Sequence, residues 1–435
     1  MANYQNDPAR RKQARHAQKA KQKRRRRRFT LILAAAVAAG ALGWSLLNRE
    51  EPSETTPPIV QTRPPETTPA ETEPPKPQTG TTVIHIAAAG DLNVTDYMLD
   101  NAAQENSYDF SQTFLDVAPI LSGADLTLLN FEGNLSGESY GFATGAAPLE
   151  LPKALKAIGV DAVQTANSAA IRQGVSGLVT TLERFEIVGL PTLGTYASTE
   201  DFRQRGGYEI MEVDGIRVAL IAFTKGMDNL GLPAGSEDCV NILYEDYSTD
   251  YKKVDTDRID RVLRNVAEEQ PDVTIAMVHW GSEYNEEISK SQDKIRKQLQ
   301  AGGVDIILGT HPHLVQKVDY DPIAKTLVAW SLGDFFGDAV MAGTNYSIIL
   351  DMEITRDNAT GEVYLSGWDY VPIYTLKPEQ SISGGHRVVR IREAMERYEA
   401  DFVGRITDEA YTSMEKALKR IEERVNPKTE GEQSQ

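Results

Sequence analysis

Short apolar runs alternate with amphipathic stretches between Val83 and Val425. Apolar runs of strand length predict β-strands at Val83–Ala89, Leu126–Asn130, Ala162–Thr165, Arg217–Phe223, Val273–Val278, Val304–Leu308, Thr326–Trp330, Ser347–Ile354 and Val363–Val371. Apolar positions at helical spacing predict helices at Pro152–Ile158, Ser176–Phe185, Asp255–Glu269, Lys290–Ala301 and Asp408–Arg424. Turn sequences predict two hairpins, at Asp214-Gly215 and Asp357–Glu362. This alternation predicts an α/β domain with a mixed sheet.

A different pattern precedes that domain. Residues 29–47 form an uncharged, mainly apolar run of nineteen residues directly after five arginines, Arg24–Arg28. A helix of that length spans about 28 Å, close to the thickness of a bilayer core. We therefore expect one transmembrane helix, with a cytoplasmic N-terminus and an extracellular C-terminal domain by the positive-inside rule. A cleaved signal peptide is the alternative, because the small residues of Ala34–Ala41 offer cleavage sites.

The segment between this run and the domain has the composition of a linker. Residues 50–82 contain nine Pro and nine Thr and almost no apolar side chains. Such a segment cannot bury enough surface to fold, and its prolines favour an extended chain of up to about 100 Å. We expect a basic cytoplasmic tail (1–28), an anchor (29–47), a disordered Pro/Thr-rich stalk (48–82), the folded domain (83–425) and a polar tail (426–435).

Charge is distributed unevenly between these segments. The whole chain has a formal charge of −17, whereas residues 1–28 alone stand at +11, which leaves −28 for the remainder. So acidic a body repels polyanions, and we expect no nucleic-acid partner. Arg24–Arg28 would suit a nucleic-acid-binding arm, but beside an apolar span they are more simply a topology signal. The single cysteine, Cys239, excludes an internal disulfide framework and a Cys-cluster metal site.

Polar side chains that suit metal ions come directly after several of the predicted strands. They are Asp91, Glu132, His279, His311 and His313. Because ligands bind outside the carboxyl ends of the strands in α/β sheets, we expect these side chains to converge on one rim. Three imidazoles and two carboxylates suit Zn²⁺, Mn²⁺ or Fe²⁺. We expect a divalent metal site.

Each of these residues also has a structural interpretation. Taken singly, Asp91 is a turn or cap residue, Glu132 a loop acid and His279 a half-buried histidine. The pair in His311-Pro312-His313 is more specific, because alternate residues of an extended segment point the same way and Pro fixes the backbone between them. Two further histidines are interpreted as structural, His85 and His386.

Five short motifs occur in order along the domain. They are Gly90-Asp91, Asn130-Phe131-Glu132-Gly133-Asn134, His279-Trp280-Gly281-Ser282-Glu283-Tyr284, Gly309-Thr310-His311-Pro312-His313 and Ser331-Leu332-Gly333-Asp334-Phe335. Together, over roughly Val83 to Ile373, they resemble the CapA family of bacterial capsule and poly-γ-glutamate synthesis proteins. That family is related to calcineurin-like metallophosphoesterases, so the resemblance implies a two-sheet sandwich flanked by helices. It also implies that the five candidate ligands match metal-binding positions, and that the protein handles a cell-surface polymer.

The chain departs from the family pattern at the motif Asn-Asn-His, which is usually followed by Asp. Here the sequence reads Asn167-Ser168-Ala169, with Arg172 where Asp is expected. By the resemblance, Ser168 replaces an Asn that would bind a second metal. Ala169 replaces a His that would protonate the leaving group, and losing a general acid typically costs 10²–10⁴ in rate.

Two further positions depart from the related motifs. Asn93 stands where the wider superfamily has the His of Asp-x-His, and Asp334 replaces the Asn of Ser-Leu-Gly-Asn-Phe. The residues with secondary roles implied around the metal are Asn93, Asn130, Asn167 and Ser168. These departures predict a degenerate site with a single or weakly held metal.

Three functions remain open from the sequence. The first is a membrane-anchored accessory protein of capsule or poly-γ-glutamate synthesis or export. The second is an active metal-dependent hydrolase of phosphoesters or γ-glutamyl amides, with Glu283 or Asp334 supplying acid–base function. The third is a non-catalytic ligand-binding module. The charge of −28 on the body opposes a polyanionic partner unless metal or a local basic patch compensates.

Overall fold

The computed structural model describes residues 80–382, 385–400 and 406–425. The predicted basic tail, the apolar run 29–47, residues 48–79 of the predicted stalk and the tail 426–435 lie outside these ranges. Within them, no helix is both long and apolar enough to cross a membrane.

Strands and helices alternate along the described chain. The strands are β1 Thr81–Asn93, β2 Leu126–Glu132, β3 Ala162–Gln164, β4 Thr192–Leu193, β5 Tyr208–Val213, β6 Ile216–Thr224, β7 Val273–His279, β8 Ile306–Thr310, β9 Val318–Asp321, β10 Thr326–Ala329, β11 Asp334–Phe336, β12 Tyr346–Asp357, β13 Val363–Leu376 and β14 Arg387–Arg390. The helices are α1 Asp96–Ala102, α2 Ala118–Leu121, α3 Glu150–Ala157, α4 Gly174–Val188, α5 Thr199–Arg205, α6 Thr256–Glu269, α7 Lys290–Ala301, α8 Ile391–Glu399 and α9 Asp408–Val425, with a 3₁₀ turn at Pro378–Gln380.

The strands form two sheets. Sheet I has the order β14-β13-β12-β1-β2-β3-β4, and β11 pairs with the C-terminal part of β1. Sheet II has the order β5-β6-β7-β8-β10-β9. In sheet I, β1 to β4 are parallel while β12 to β14 are antiparallel; in sheet II, the edge strands β5 and β9 are antiparallel to their neighbours. The predicted mixed α/β fold is confirmed, with the two sheets that the resemblance implied.

Alternate residues of the central strands face different cores. In β1, Ile84 and Ile86 face the core between the sheets, whereas Ala87 faces the outer side of sheet I. In β6, Leu220 points inward and Ile221 points to the outer side of sheet II. This follows from the two-residue repeat of a strand. Strands buried on both faces therefore read as continuous apolar runs, which is why the sequence pattern located them.

Helices cover the outer faces of both sheets. Phe185 of α4 lies in the outer core of sheet I, and Val262 of α6 and Leu299 of α7 lie in that of sheet II. Helix α9 packs Met414 and Ile421 against the core between the sheets. Each such fully buried side chain contributes about 1.5–3 kcal/mol.

Capping residues set the starts of two predicted helices. The carboxylate of Asp255 accepts a hydrogen bond from the backbone N–H of Arg258 at 3.0 Å, so α6 begins one residue later than predicted. In α7, Ser289 and Gln292 form a reciprocal capping box, and the helix has the predicted bounds.

The pattern missed elements that are short or lie at sheet edges. No strand or helix range was predicted for β4, β5, β9, β11, β14, α1, α2, α5 and α8, although both predicted hairpins are confirmed, β5–β6 at Asp214-Gly215 and β12–β13 at Asp357–Glu362. Edge strands bury only part of their surface, and β5 shows no alternation between buried and exposed positions. A strand of three residues, such as β11, is too short for any period to appear.

Strand β1 corrects two sequence expectations. It begins at Thr81, inside the segment predicted as stalk, and it continues through Asp91, which was expected to follow the strand. A register irregularity between Ala89 and Asp91 lets the strand continue beside β2. Gly90 is required there, because a Cβ would lie 1.9 Å from the carbonyl oxygen of Gly333. The close approach places β11 directly beside Asp91.

Candidate metal centre

The candidate site lies where the C-terminal ends of strands from both sheets meet. Strands β1 and β2 of sheet I supply two carboxylates, and β7 and the segment after β8 in sheet II supply three imidazoles. The structure brings together all of the predicted ligands, Asp91, Glu132, His279, His311 and His313. Asp91, His279 and His311 are buried, and the side chains of Glu132 and His313 are each 9% exposed.

Asp91 is fully buried and held by two hydrogen bonds. One carboxylate oxygen accepts from the amide of Asn130 at 2.6 Å, and the other accepts from the backbone N–H of His311 at 3.0 Å. Burial and the nearby charge of Glu132 raise the pKa of Asp91 to about 7. A positive charge placed beside it would favour the ionised form.

Glu132 ends β2 between a hydroxyl and an imidazole. Its Oε1 accepts a hydrogen bond from Ser168 and lies 3.4 Å from Nε2 of His279. Burial opposes ionisation, but the imidazole of His279 lowers the pKa of Glu132 below its usual value. Its other oxygen, Oε2, is buried without a hydrogen-bond partner among the described residues.

His279 and His311 lie with their ring centroids 4.4 Å apart. Thr224, at the end of β6, fixes the His279 ring through Nδ1 at 3.2 Å. Burial lowers the pKa of His311 well below its usual value, so this imidazole is neutral. Nε2 of His279 and Nδ1 of His311 are buried and have no hydrogen-bond partner in the part of the chain that the structure describes.

The segment His311-Pro312-His313 is not the extended segment that the sequence predicted. His311 has φ +91° and His313 has φ +59°, both in the left-handed region that disfavours side chains. Such strained backbone persists only where surrounding contacts enforce it. The hydrogen bond from the His311 N–H to Asp91 is one of these contacts.

His313 pairs with carboxylates instead. Its Nδ1 lies 2.7 Å from Oδ1 of Asp334 and 3.6 Å from Oδ2 of Asp91. Burial alone would lower the pKa of His313, but these carboxylates and Glu132 raise it to about 11. The ring of Tyr284 stacks on this imidazole at 5.4 Å.

The ligand-type side chains therefore form two groups. The nitrogen-rich group is Glu132, His279 and His311, and the carboxylate-rich group is Asp91, His313 and Asp334. The ligand atoms of Glu132, His311 and His313 lie within 4.8 Å of one another, as do those of the carboxylate-rich group. His313 thus lies between the two groups.

The nitrogen-rich group fits a divalent cation. A buried polar atom without a hydrogen bond costs about 1–3 kcal/mol, and each of its three residues carries one such atom among the described residues. One carboxylate and two imidazole nitrogens are donors that Zn²⁺, Mn²⁺ and Fe²⁺ accept. The buried cluster is therefore compatible with a divalent metal site.

The secondary candidates orient the carboxylates. Asn93 donates to Asp334 at 3.0 Å, and Asn130 donates to Asp91. Asn167 donates to the side-chain oxygen of Asn130 at 2.9 Å and to the Phe131 carbonyl at 2.7 Å. Such contacts fix ligand orientation around a metal.

The two weak acid–base candidates occupy different environments. Asp334 is buried, which raises its pKa, and its Oδ1 bonds both His313 and Asn93. Glu283 is exposed and lines a cleft of about 370 Å³ above the cluster. The contacts of Asp334 are those of a residue that orients the His313 ring.

Three residues near the site were not singled out from the sequence. Thr224 holds His279, Tyr284 stacks on His313, and Lys225 donates from Nζ to the carbonyl of Gly281 at 2.7 Å. Burial lowers the pKa of Lys225. Thr224 directly follows the predicted strand Arg217–Phe223 on the same rim, so its position was the signal that could have found it.

The structure defines a two-sheet α/β protein with a buried His, Asp and Glu cluster at its strand ends. Residues 85–339 match the model of the family described as bacterial capsule synthesis protein PGA_cap, and the chain belongs to that family. The resemblance to CapA proteins is thereby confirmed.

Two relatives carry related names. The chain is 25% identical over 284 residues to the "PGA biosynthesis protein CapA" of Bacillus subtilis (strain 168), covering 64% of this chain and 70% of the relative. It is 27% identical over 316 residues to the "Capsule biosynthesis protein CapA" of Bacillus anthracis, covering 68% and 71%. Among solved structures, a calcineurin-like phosphoesterase YfkN from Bacillus subtilis matches with TM-score 0.42 and 14% identity, over 79% of this chain and 98% of that chain.

Proposed function

We propose that this protein is a membrane-anchored, extracellular accessory factor of capsule or poly-γ-glutamate synthesis or export, with a metal centre that turns over phosphoesters slowly. Membership of the capsule synthesis family supports the process. The names of the two relatives support the polymer, since one is a PGA and the other a capsule biosynthesis protein. The basic segment and apolar run at residues 24–47 support the anchor and its orientation.

One observation carries the metal centre. Three buried ligand-type atoms, Glu132 Oε2, His279 Nε2 and His311 Nδ1, have no hydrogen-bond partner within residues 80–382, 385–400 and 406–425. Glu132, His279 and His311 would hold the metal, with His313 adjacent. A divalent ion there supplies Lewis-acid polarisation of a phosphoryl oxygen.

The chain's own residues support slow turnover. Asp334 holds the His313 ring, and Ser168 holds Glu132, so both are engaged in positioning. Ala169, at the family's proton-donor position, is fully buried and carries no ionisable group. A leaving group that needs protonation therefore lacks its donor.

Metal analysis of the purified full-length chain tests the metal centre. Wild-type protein should copurify with a transition metal, and the double variant His311→Ala, His313→Ala should lose it. His85→Ala is the matched control, because the His85 side chain is 48% exposed and lies away from the cluster. A wild type without metal, or equal loss in the His85 variant, contradicts the proposal.

Protease treatment of intact protoplasts tests the topology. The domain should be removed while the segment 29–47 remains in the membrane. Protection of the domain contradicts the orientation, and a mature form beginning within Ala34–Ala41 identifies a cleaved signal peptide instead of an anchor.

A further inference from the structure

The cleft above the metal centre has an apolar mouth. Four of its lining side chains are large, apolar or aromatic, and open to water: Phe142 is 65% exposed, Tyr284 45%, Val340 71% and Met341 48%. Single exposed apolar residues are ordinary on protein surfaces, but several around one concavity indicate a binding site. Their grouping is the observation to be explained.

The floor and one wall of the same cleft are polar. Glu132 and His313 line its floor, and Arg172 lines it beside Phe142. The Arg172 guanidinium donates to Asp228 Oδ2 at 2.9 Å and to the Phe142 carbonyl at 3.5 Å. These contacts hold a cationic group against the apolar rim.

Carboxylates limit which anion can enter. Asp228, Glu283 and Asp338 also line the cleft, so a polyanion would meet repulsion along its length. A single anionic group can instead be matched by the metal centre and Arg172. The remainder of such a ligand would lie against uncharged side chains.

We propose that the cleft binds a phosphate ester with an apolar substituent, the phosphate toward the metal centre and Arg172 and the substituent against Phe142, Val340 and Met341. This inference rests on the proposed metal centre. A cleft of about 370 Å³ has the size of a small-molecule site. Apolar walls with a few polar groups at the base are typical of such sites.

Calorimetric binding of methyl phosphate and hexyl phosphate to the Mn²⁺-loaded full-length chain tests the inference. Each fully buried methylene tightens binding about fourfold, so hexyl phosphate should bind at least about tenfold more tightly than methyl phosphate. In the double variant Phe142→Ser, Met341→Ser this preference should fall below about threefold. Ile323→Ser removes an apolar side chain that is 91% exposed outside the cleft, and it should keep the wild-type preference.

The outcomes separate this inference from the one on which it depends. If both esters bind only with metal and equally tightly, the apolar site is wrong and the metal centre stands. If neither ester binds with metal present, the phosphoester-binding metal centre fails and the inference fails with it. An equal loss of preference in the Ile323 and Phe142/Met341 variants also overturns the inference.

Discussion

The carboxylate-rich and nitrogen-rich groups of the proposed metal centre are built from similar side chains. They differ in how many of their polar atoms have hydrogen-bond partners. In the carboxylate-rich group, the imidazole of His313 is 2.7 Å from Asp334, and Asn93 and Asn130 donate to the two carboxylates. In the nitrogen-rich group, each residue keeps a buried atom that finds no hydrogen-bond partner in the described part of the chain. The first group is paired at hydrogen-bond distance. In the second, His279 Nε2 lies 3.4 Å from Glu132 Oε1 without a hydrogen bond, and a divalent cation would engage the unbonded atoms. The contrast separates a structural ion pair from the proposed metal position.

The largest effect expected concerns turnover, which depends on the residues beside the nitrogen-rich group. The leaving group of an alkyl phosphodiester needs a proton. Wild-type protein should therefore cleave such a diester about 10²- to 10⁴-fold more slowly than the double variant Ser168→Asn, Ala169→His. A p-nitrophenyl ester should show a smaller difference, because its leaving group departs without protonation. Steady-state rates with both substrates measure this.

The control for that comparison must account for the steric effect of a larger side chain at position 169. Ala169 is fully buried, so a larger side chain there can cost about 1–3 kcal/mol by overpacking. Ser168→Asn, Ala169→Gln has similar bulk without an imidazole and should stay slow. Brisk metal-dependent cleavage of the alkyl diester by wild-type protein would contradict the degenerate site.

The next effect compares how much the protein is destabilised when one residue of each group is replaced, with a chelator present to exclude metal. Asp334→Ala removes the nearer of the two carboxylates that pair with the buried His313 imidazolium, which should cost about 3–5 kcal/mol. His311→Leu replaces an unpaired buried imidazole by an apolar side chain of similar size and should cost less than about 1.5 kcal/mol. Urea unfolding of both variants measures the difference, and equal costs would remove the distinction between the groups.

Much of the fold could be predicted from sequence because the central strands are buried on both faces. A continuous apolar run such as Val273–Val278 predicts a buried strand directly. The end of that run predicts that His279 lies at the carboxyl end of the strand. Strand β11 is too short for a hydrophobic period to predict it, although the motif Ser331–Phe335 indicated that Asp334 lies near the site. The left-handed backbone at His311 and His313 depends on contacts with Asp91, which lies far away in sequence. Tertiary contacts of this kind leave no local pattern.

Metal should stabilise the protein through the nitrogen-rich group. A metal at 100 times its dissociation constant adds about 2.7 kcal/mol to the free energy of unfolding. Wild-type protein and Asp334→Asn, which restores the residue of the family motif, should both gain this stability. His311→Leu should not gain it. Thermal unfolding with and without Mn²⁺ is the measurement, and a full gain in His311→Leu would place the metal elsewhere.

The last effect is the pH dependence of the carboxylate-rich group without metal. The folded pKa of His313, about 11, lies above the unfolded value of about 6.5, so the folded state binds more protons. The contribution of the ion pair is therefore complete below pH 6.5 and is lost as pH rises toward 11. Between pH 7 and pH 9 the chelated wild type should lose stability, and a variant His313→Gln should lose less. Equal slopes would contradict the ion pair.

The most direct test of the central claim is an anomalous difference map from crystals of the full-length protein grown with Mn²⁺ or Zn²⁺. We expect a metal peak among Glu132 Oε2, His279 Nε2 and His311 Nδ1, adjacent to His313. The hydrogen bond between His313 and Asp334 should be retained beside it. A map without a peak among these three atoms, or with a peak only between Asp91 and Asp334, would contradict the assignment of the nitrogen-rich group as the metal position.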